Sequence, residues 1–153
     1  MTISDILSTD RILVGADASS KKRVLEVLSE LLTTPDGPVS ALTVFKALCE
    51  RERKGNTGLG EGVAIPHGRL PEVHEAVAAF VKLAEPVDFD APDGRGVDLV
   101  IGLLVPEDYT QEHVEILAGL AESLSSTEVR EALRRTTSPA RARELLCHGS
   151  VPV

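Results

Sequence analysis

An α/β domain built on a mixed β-sheet, with helices on both faces, is the fold this sequence predicts, residues 1–153 forming a single domain. Three observations carry the prediction. Segments with apolar residues at helical spacing alternate with short strand-like runs. The run from Val97 to Val105 is nearly all apolar, as expected of a strand buried on both faces. Finally, 153 residues with 42% hydrophobic content suffice for one real core, and the 3% aromatic content means that Val, Leu, Ile and Ala must build it.

The elements follow in order. Arg11 to Val14 reads as a short first strand. Ser19 to Leu32 sets Val24, Leu25, Leu28, Leu31 and Leu32 on one helical face, and Thr33-Thr34-Pro35-Asp36-Gly37-Pro38 ends it. Ser40 can cap a second helix whose apolar face is Ala41, Leu42, Phe45, Leu48 and Cys49, with Gly55 placed to terminate it. Val63 to Ile65 is a short strand and Ala76 to Leu83 a longer one; Pro86 to Gly94 then carries turn chemistry. After Pro106, Thr110 can cap a helix with Val114, Leu117, Ala118, Ala121 and Leu124 facing inward. Ser125 with Glu128 three residues on resembles a capping box for the next helix. Ser138-Pro139 opens the last, with proline at the first helical position. No repeat, low-complexity tract or long linker divides the chain.

Sixteen Lys and Arg against 24 Asp and Glu give a formal net charge of −8. Non-specific nucleic-acid or membrane binding needs a cationic footprint, so no nucleic-acid partner is expected. No run approaches the roughly 20 apolar residues that span a bilayer, so no membrane insertion is expected either. Met1-Thr2-Ile3-Ser4-Asp5 lacks the basic and apolar regions of a signal peptide. Cys49 and Cys147 form no CxxC pair and fit free thiols in a reducing compartment. The expected location is the cytoplasm.

The most distinctive stretch is Gly55-Asn56-Thr57-Gly58-Leu59-Gly60-Glu61-Gly62-Val63-Ala64-Ile65-Pro66-His67-Gly68-Arg69. Glycines at 55, 58, 60 and 62 imply positive φ or close approach of backbone to a ligand. Pro66 holds Ile65 extended, so His67 is presented from a stiff segment with a small, mobile residue after it. Neutral imidazole is nucleophilic near pH 7 and can hold a phosphoryl group as a phosphoramidate; the alternative is a histidine that only hydrogen-bonds within a turn. His113 falls in the first turn of a helix, where free N–H groups attract an anion; it can donate to phosphate oxygens or simply face water. Arg51, one turn before the loop, can neutralise a transferring phosphoryl group or be part of a solvated helix end. Thr57 can offer its hydroxyl to phosphate or close the turn.

Other chemistries lack their signatures. There is no GxxxxGK[ST] or GxGxxG, the four histidines at 67, 74, 113 and 148 have no HxxxH or HExxH spacing, and no GxSxG occurs. His74 and His148 read as surface residues. No metal and no cofactor is expected.

Arg51-Glu52, Gly55 through His67 and Gly68-Arg69 together resemble the signature of the IIA domain of the phosphoenolpyruvate-dependent phosphotransferase system, in its fructose/mannitol/nitrogen-regulatory branch. Val87 to Gly94 with Val97-Asp98-Leu99-Val100, and then Leu104-Val105-Pro106, Glu112-His113 and Leu117-Ala118, resemble the family's further blocks, so that the likeness runs from about Ile6 to Leu146. The resemblance implies an α/β sandwich with a central mixed sheet. It implies that His67 accepts a phosphoryl group from an HPr-like phosphocarrier, on Nε2, that His113 supports the phosphohistidine, and that Arg51 lies beside the site. Thr57 and Gly58 are the expected phosphate-binding positions of the loop. Asn56 stands where serine is common in the family and Leu59 where isoleucine is common. Nitrogen-regulatory members act by phosphorylation-dependent binding of target proteins, whereas sugar-specific members pass the group to a IIB partner. With no IIB, HPr-like or membrane domain in the sequence, the regulatory type is expected.

Overall fold

The apolar run near residue 100 becomes the central strand. The computed structural model describes residues 2–108 and 110–148. Its elements are α1 (Ile3–Ile6), β1 (Leu7–Ala16), α2 (Lys21–Leu31), α3 (Ala41–Lys54), β2 (Gly58–Gly60), β3 (Val63–Ala64), β4 (His67–Leu70), β5 (Val77–Val87), β6 (Val97–Pro106), α4 (Gln111–Leu124), α5 (Thr127–Arg135) and α6 (Pro139–His148). The sheet runs β1-β5-β6-β3-β2, with β4 also on β6. β5 lies antiparallel along one edge of β6. Along the other edge β3 pairs through Val63–Leu99 and β4 through His67–Leu103, both parallel. The mixed sheet of the sequence reading is thus present.

Successive side chains of β6 point to opposite faces, and each face has its own core. Leu99, Ile101, Leu103 and Val105 join Phe80 with Ile116, Leu120, Leu133 and Leu145 of α4, α5 and α6. Val100 and Leu104 join Val81 with Leu28 of α2 and Val44 and Leu48 of α3. Helices therefore cover both faces, as predicted. At Gly102 a Cβ would lie 2.9 Å from Leu28 Cδ2, so a side chain there would force Leu28 to shift.

Several expectations are corrected. β1 extends well beyond residues 11–14, because its parallel ladder with β5 runs from Leu7 to Ala16. α1 and β4 carry no apolar periodicity and form through contacts distant in sequence; β4 pairs entirely with β6. The buried ridge of α3 is Val44, Leu48 and Glu52, while Leu42 is 60% exposed. α4 is rotated from its predicted face: His113, Ile116, Leu120 and Leu124 are buried and Val114 is 41% exposed. α5 is capped by Ser126, whose side chain accepts from Val129 N, because Ser125 already closes α4 by donating to the Glu122 carbonyl at 2.6 Å. Among the described residues no helix is long and apolar enough to cross a membrane.

Candidate functional site

α3 starts under the Ser40 cap, whose side chain accepts from Thr43 N, and stops at Gly55 with φ 167° and ψ 139°. From there the chain enters the β2–β3 hairpin. Its turn needs Gly60 and Gly62 at φ 94° and 81°, with Glu61 between them at 58°. Gly58 suits its place for a different reason: a Cβ there would lie 3.2 Å from Ala91 Cα, close enough to push that backbone aside. Gly55 needs neither concession, since its φ is extended and a Cβ would meet only Arg51 Nη1, at 3.8 Å.

The hairpin aims His67. Ile65 N donates to the Thr57 carbonyl at 3.0 Å, and Leu103 N of β6 donates to the Pro66 carbonyl at 3.0 Å. Pro66 has no N–H, so the strand parallel to β6 breaks there into β3 and β4. His67 is the first residue beyond the break. Gly68 is not the mobile residue expected: it is buried, and a Cβ would lie 3.3 Å from Ala47 Cβ of α3.

The imidazole of His67 has one chemically consistent tautomer. Nδ1 lies 3.0 Å from the Ile65 carbonyl, which can only accept, and Arg51 Nε–H donates to Nε2 at 3.2 Å. The proton is therefore on Nδ1 and the lone pair on Nε2. Burial holds the imidazole pKa below its ordinary value. The hydrogen bond to Ile65 works the other way, and the Arg51 guanidinium lowers it further. A lowered pKa means that protonation needs more acid. Any reaction that uses the neutral ring is expected to stay level as pH falls through the ordinary value of about 6.5 and to decline only below it. In Arg51→Ala the decline should move toward higher pH. Single-turnover rates against pH check this, and a decline centred above the ordinary value in the parent protein would contradict it.

Arg51 is held in turn by the helix end, its Nη1 donating to the Gly55 carbonyl at 2.7 Å. His67 and Arg51 line a cavity of about 830 Å³ with Lys46, Lys54, Gly68 and Arg69. The remaining predicted site residues lie elsewhere. Thr57 is 6% exposed, with its hydroxyl donating to Glu52 Oε1 and its N–H donating to Oε2 at 3.3 Å. Gly58 sits in β2 against Ala91. Neither lines the cavity of His67. His113 is 4% exposed, which removes the water-facing alternative. Its Nδ1 lies 3.2 Å from Thr110 N, a donor, so the His113 proton is on Nε2. His113 lines a second cavity, of about 770 Å³; Leu70 borders the first and the adjacent Pro71 the second. His74 and His148 are exposed, as expected.

Sequence reasoning missed Glu52. Its carboxylate, 8% exposed, receives both Thr57 donors and pairs with Lys21 Nζ of α2 at 2.9 Å. The Lys21 ammonium also sits 5.2 Å from the Phe89 ring centroid and donates to Asn56 Oδ1 at 3.3 Å. Asn56 Nδ2 continues the chain of contacts to the Asp90 carbonyl at 3.2 Å. This brace ties α2 and the end of α3 to the loops that carry Asn56 and Asp90. The signal was available, because Glu52 follows Val44 and Leu48 at four-residue spacing and so shares their inward face. Glu52→Ala strands buried donors, and a loss of about 2–4 kcal/mol in unfolding free energy is expected. Denaturant titration measures it; an unchanged midpoint would mean that the brace contributes nothing.

Residues 5–148 match the family described as phosphoenolpyruvate-dependent sugar phosphotransferase system, EIIA 2. The chain is 45% identical over 132 residues to the nitrogen regulatory protein of Pseudomonas aeruginosa, covering 86% of each. Among solved structures it resembles nitrogen regulatory protein IIA-Ntr from Neisseria meningitidis, with a TM-score of 0.90 and 44% identity over 94% of this chain and 98% of that one. It also resembles the IIA chain in the complex of enzyme IIAMTL and phosphorylated enzyme IIBMTL from Escherichia coli, with a TM-score of 0.75 and 28% identity over 92% of this chain and 98% of that one.

Proposed function

Because the chain belongs to the EIIA 2 family of the phosphoenolpyruvate-dependent sugar phosphotransferase system, we propose that it is a phosphoryl carrier whose acceptor atom is His67 Nε2. The observation that carries this reading is the fixed tautomer: a lone pair on Nε2, facing a cavity, beside an arginine that already donates to it. The donor is the phosphohistidine of an HPr-like carrier. The Nε2 lone pair attacks phosphorus in line with the carrier's P–N bond; the new N–P bond forms as that bond breaks, and its electron pair returns to the carrier's imidazole. With the carrier's phosphohistidine protonated on its other ring nitrogen, that imidazole leaves neutral and no proton has to move, because His67 keeps its proton on Nδ1, donated to the Ile65 carbonyl. Arg51 exchanges its hydrogen bond to Nε2 for one to a phosphoryl oxygen, which offsets charge as it arrives.

His113 supports the adduct through its Nε2–H, either directly or across a bridging water. Thr57 and Gly58 act by shaping the loop that holds His67 rather than by touching the phosphoryl group. His113→Ala is expected to accept phosphate still, with an adduct that hydrolyses or passes onward with a rate altered about tenfold, the worth of one charge-assisted hydrogen bond. Adduct lifetime and onward transfer indistinguishable from the parent protein would refute that role.

The protein acts in the nitrogen-regulatory manner, binding targets in one phosphorylation state and releasing them in the other, and residues 1–153 form one domain of the cytoplasm. The likeness to the nitrogen regulatory proteins of Pseudomonas aeruginosa and Neisseria meningitidis supports this reading. A second reading, onward transfer to a IIB partner for sugar uptake, is favoured by the likeness to enzyme IIAMTL in its complex with phosphorylated enzyme IIBMTL. Incubation with phosphoenolpyruvate, enzyme I and either HPr or its nitrogen-branch counterpart tests the carrier role by intact mass. Adding a IIB enzyme then separates the two readings: an adduct that stays on this chain fits regulation, and one that is drained fits transport.

A further inference from the structure

The cavity beside His67 is basic in a protein of net charge −8. Lys46, Arg51, Lys54 and Arg69 line it, against the single carboxylate of Glu50 among the described lining residues. The neighbouring cavity, where His113 lies, has the opposite character, with Asp5, Glu75, Glu107, Asp108 and Glu112 and no Lys or Arg among its described lining residues. The sign of the first cavity is therefore local. Its position is also specific, between the outer face of α3 and β4, with His67 at the edge.

We propose that this cavity is a docking groove for an extended acidic segment of a partner protein, occupied while His67 is unphosphorylated and vacated when it is phosphorylated. The inference rests on His67 being the phosphoryl acceptor. The spacing of the cations selects the ligand. Lys46 and Lys54 are exposed and stand eight positions apart on α3, about 12 Å along the helix axis. One phosphate cannot bridge that distance. An extended peptide can, since side chains on one of its faces recur every ~6.6 Å and two such steps span about 13 Å. Acidic residues two steps apart then meet Lys46 at one end and Lys54 at the other, where the segment displaces the exposed pairing of Lys54 with Glu50 at 4.0 Å. The volume of about 830 Å³ accommodates several such side chains.

Phosphorylation acts on the same groove. A phosphoryl group on Nε2 brings up to about two negative charges beside these cations and engages Arg51. The acidic segment loses both a cation and the local positive excess. Release thus follows from charge at the groove itself, without refolding.

The test uses the full chain, nitrogen-15 labelled, and a synthetic decapeptide of alternating Glu and Ala, with an alternating Lys and Ala peptide and inorganic phosphate as comparison probes. The acidic peptide is expected to shift amide signals of residues 46–54 and 67–70, and to bind more weakly as salt rises. Lys46→Glu combined with Lys54→Glu, both at exposed positions, should weaken it by about tenfold or more without altering the fold, and phosphorylation of His67 should weaken it comparably. The proposal is overturned if the acidic peptide does not bind, if the basic peptide moves the same signals equally, or if phosphate alone binds there. Intact mass of the same sample reports phosphoryl occupancy. A fully phosphorylated sample that binds as tightly as the parent refutes the groove's switching alone; a sample that never acquires the adduct refutes the carrier reading and the switch with it.

Discussion

Replacing His67 by alanine is expected to abolish phosphoryl acceptance and to leave the fold intact. The fold does not lean on the imidazole. What fixes the backbone here is the Ile65 N–H to Thr57, the Leu103 N–H to the Pro66 carbonyl and the β4–β6 ladder, none of which involves the side chain. The ring is only partly buried, and its hydrogen bonds are worth about 1 kcal/mol to Ile65 and about 1.5–3 kcal/mol to the charged Arg51, too little to unfold the domain. Acceptance, by contrast, needs an unprotonated ring nitrogen facing the cavity. His74 and His148 are exposed and outside that cavity, and the Nδ1 lone pair of His113 is engaged by Thr110. The comparison to make is intact mass after phosphorylation, beside the denaturation midpoint, for the parent, His67→Ala and His67→Gln. Retention of one full adduct by His67→Ala would remove His67 from the mechanism.

Arg51→Ala is expected to slow phosphoryl acceptance by about a hundredfold, the typical loss when one preorganised donor to a charged transition state is removed. The guanidinium is preorganised in a specific sense: Nη1 is anchored on the Gly55 carbonyl at the helix end while Nε donates to His67 Nε2. No rearrangement is needed beyond exchange of Nε2 for a phosphoryl oxygen. Lysine cannot reproduce both contacts from one planar group, so Arg51→Lys should recover little of the rate. Loss of the contact to Gly55 is a small stability effect, so kinetics rather than folding should report this substitution. Single-turnover transfer from the phosphorylated carrier measures it, and a rate within a factor of about two of the parent would contradict the role.

Residue chemistry singled out His67 but left Arg51 open between a phosphate neutraliser and a solvated helix end; the family resemblance set Arg51 beside the site, and the structure has its Nε donating to His67 Nε2. Glu52 was not legible as part of a run of charges, although its spacing from Val44 and Leu48 put it on the buried face. Reading Thr57 as a phosphate ligand failed to anticipate that a buried carboxylate one turn back would take its donors. The face of α4 was misjudged by one position: apolar Val114 was read as facing inward and His113 was left to phosphate or water, whereas the structure buries the histidine and exposes the valine. β4 was hidden because His-Gly-Arg-Leu has no strand propensity of its own. It is extended only because β6 offers a parallel edge, information that lies some 36 residues away in the register of His67 with Leu103. Ser125 with Glu128 suggested the cap of α5, but the end of α4 takes Ser125 and Ser126 caps α5 instead.

The most direct test is nitrogen and phosphorus NMR of the histidine adduct, after treatment of the labelled protein with phosphoenolpyruvate, enzyme I and a cognate carrier. The expected result is one acid-labile phosphoryl group on His67, bonded at Nε2, with Nδ1 still protonated and bound to the Ile65 carbonyl. A phosphoryl group on Nδ1, on another residue, or absent after treatment with both HPr and its nitrogen-branch counterpart would contradict the mechanism derived from the fixed tautomer.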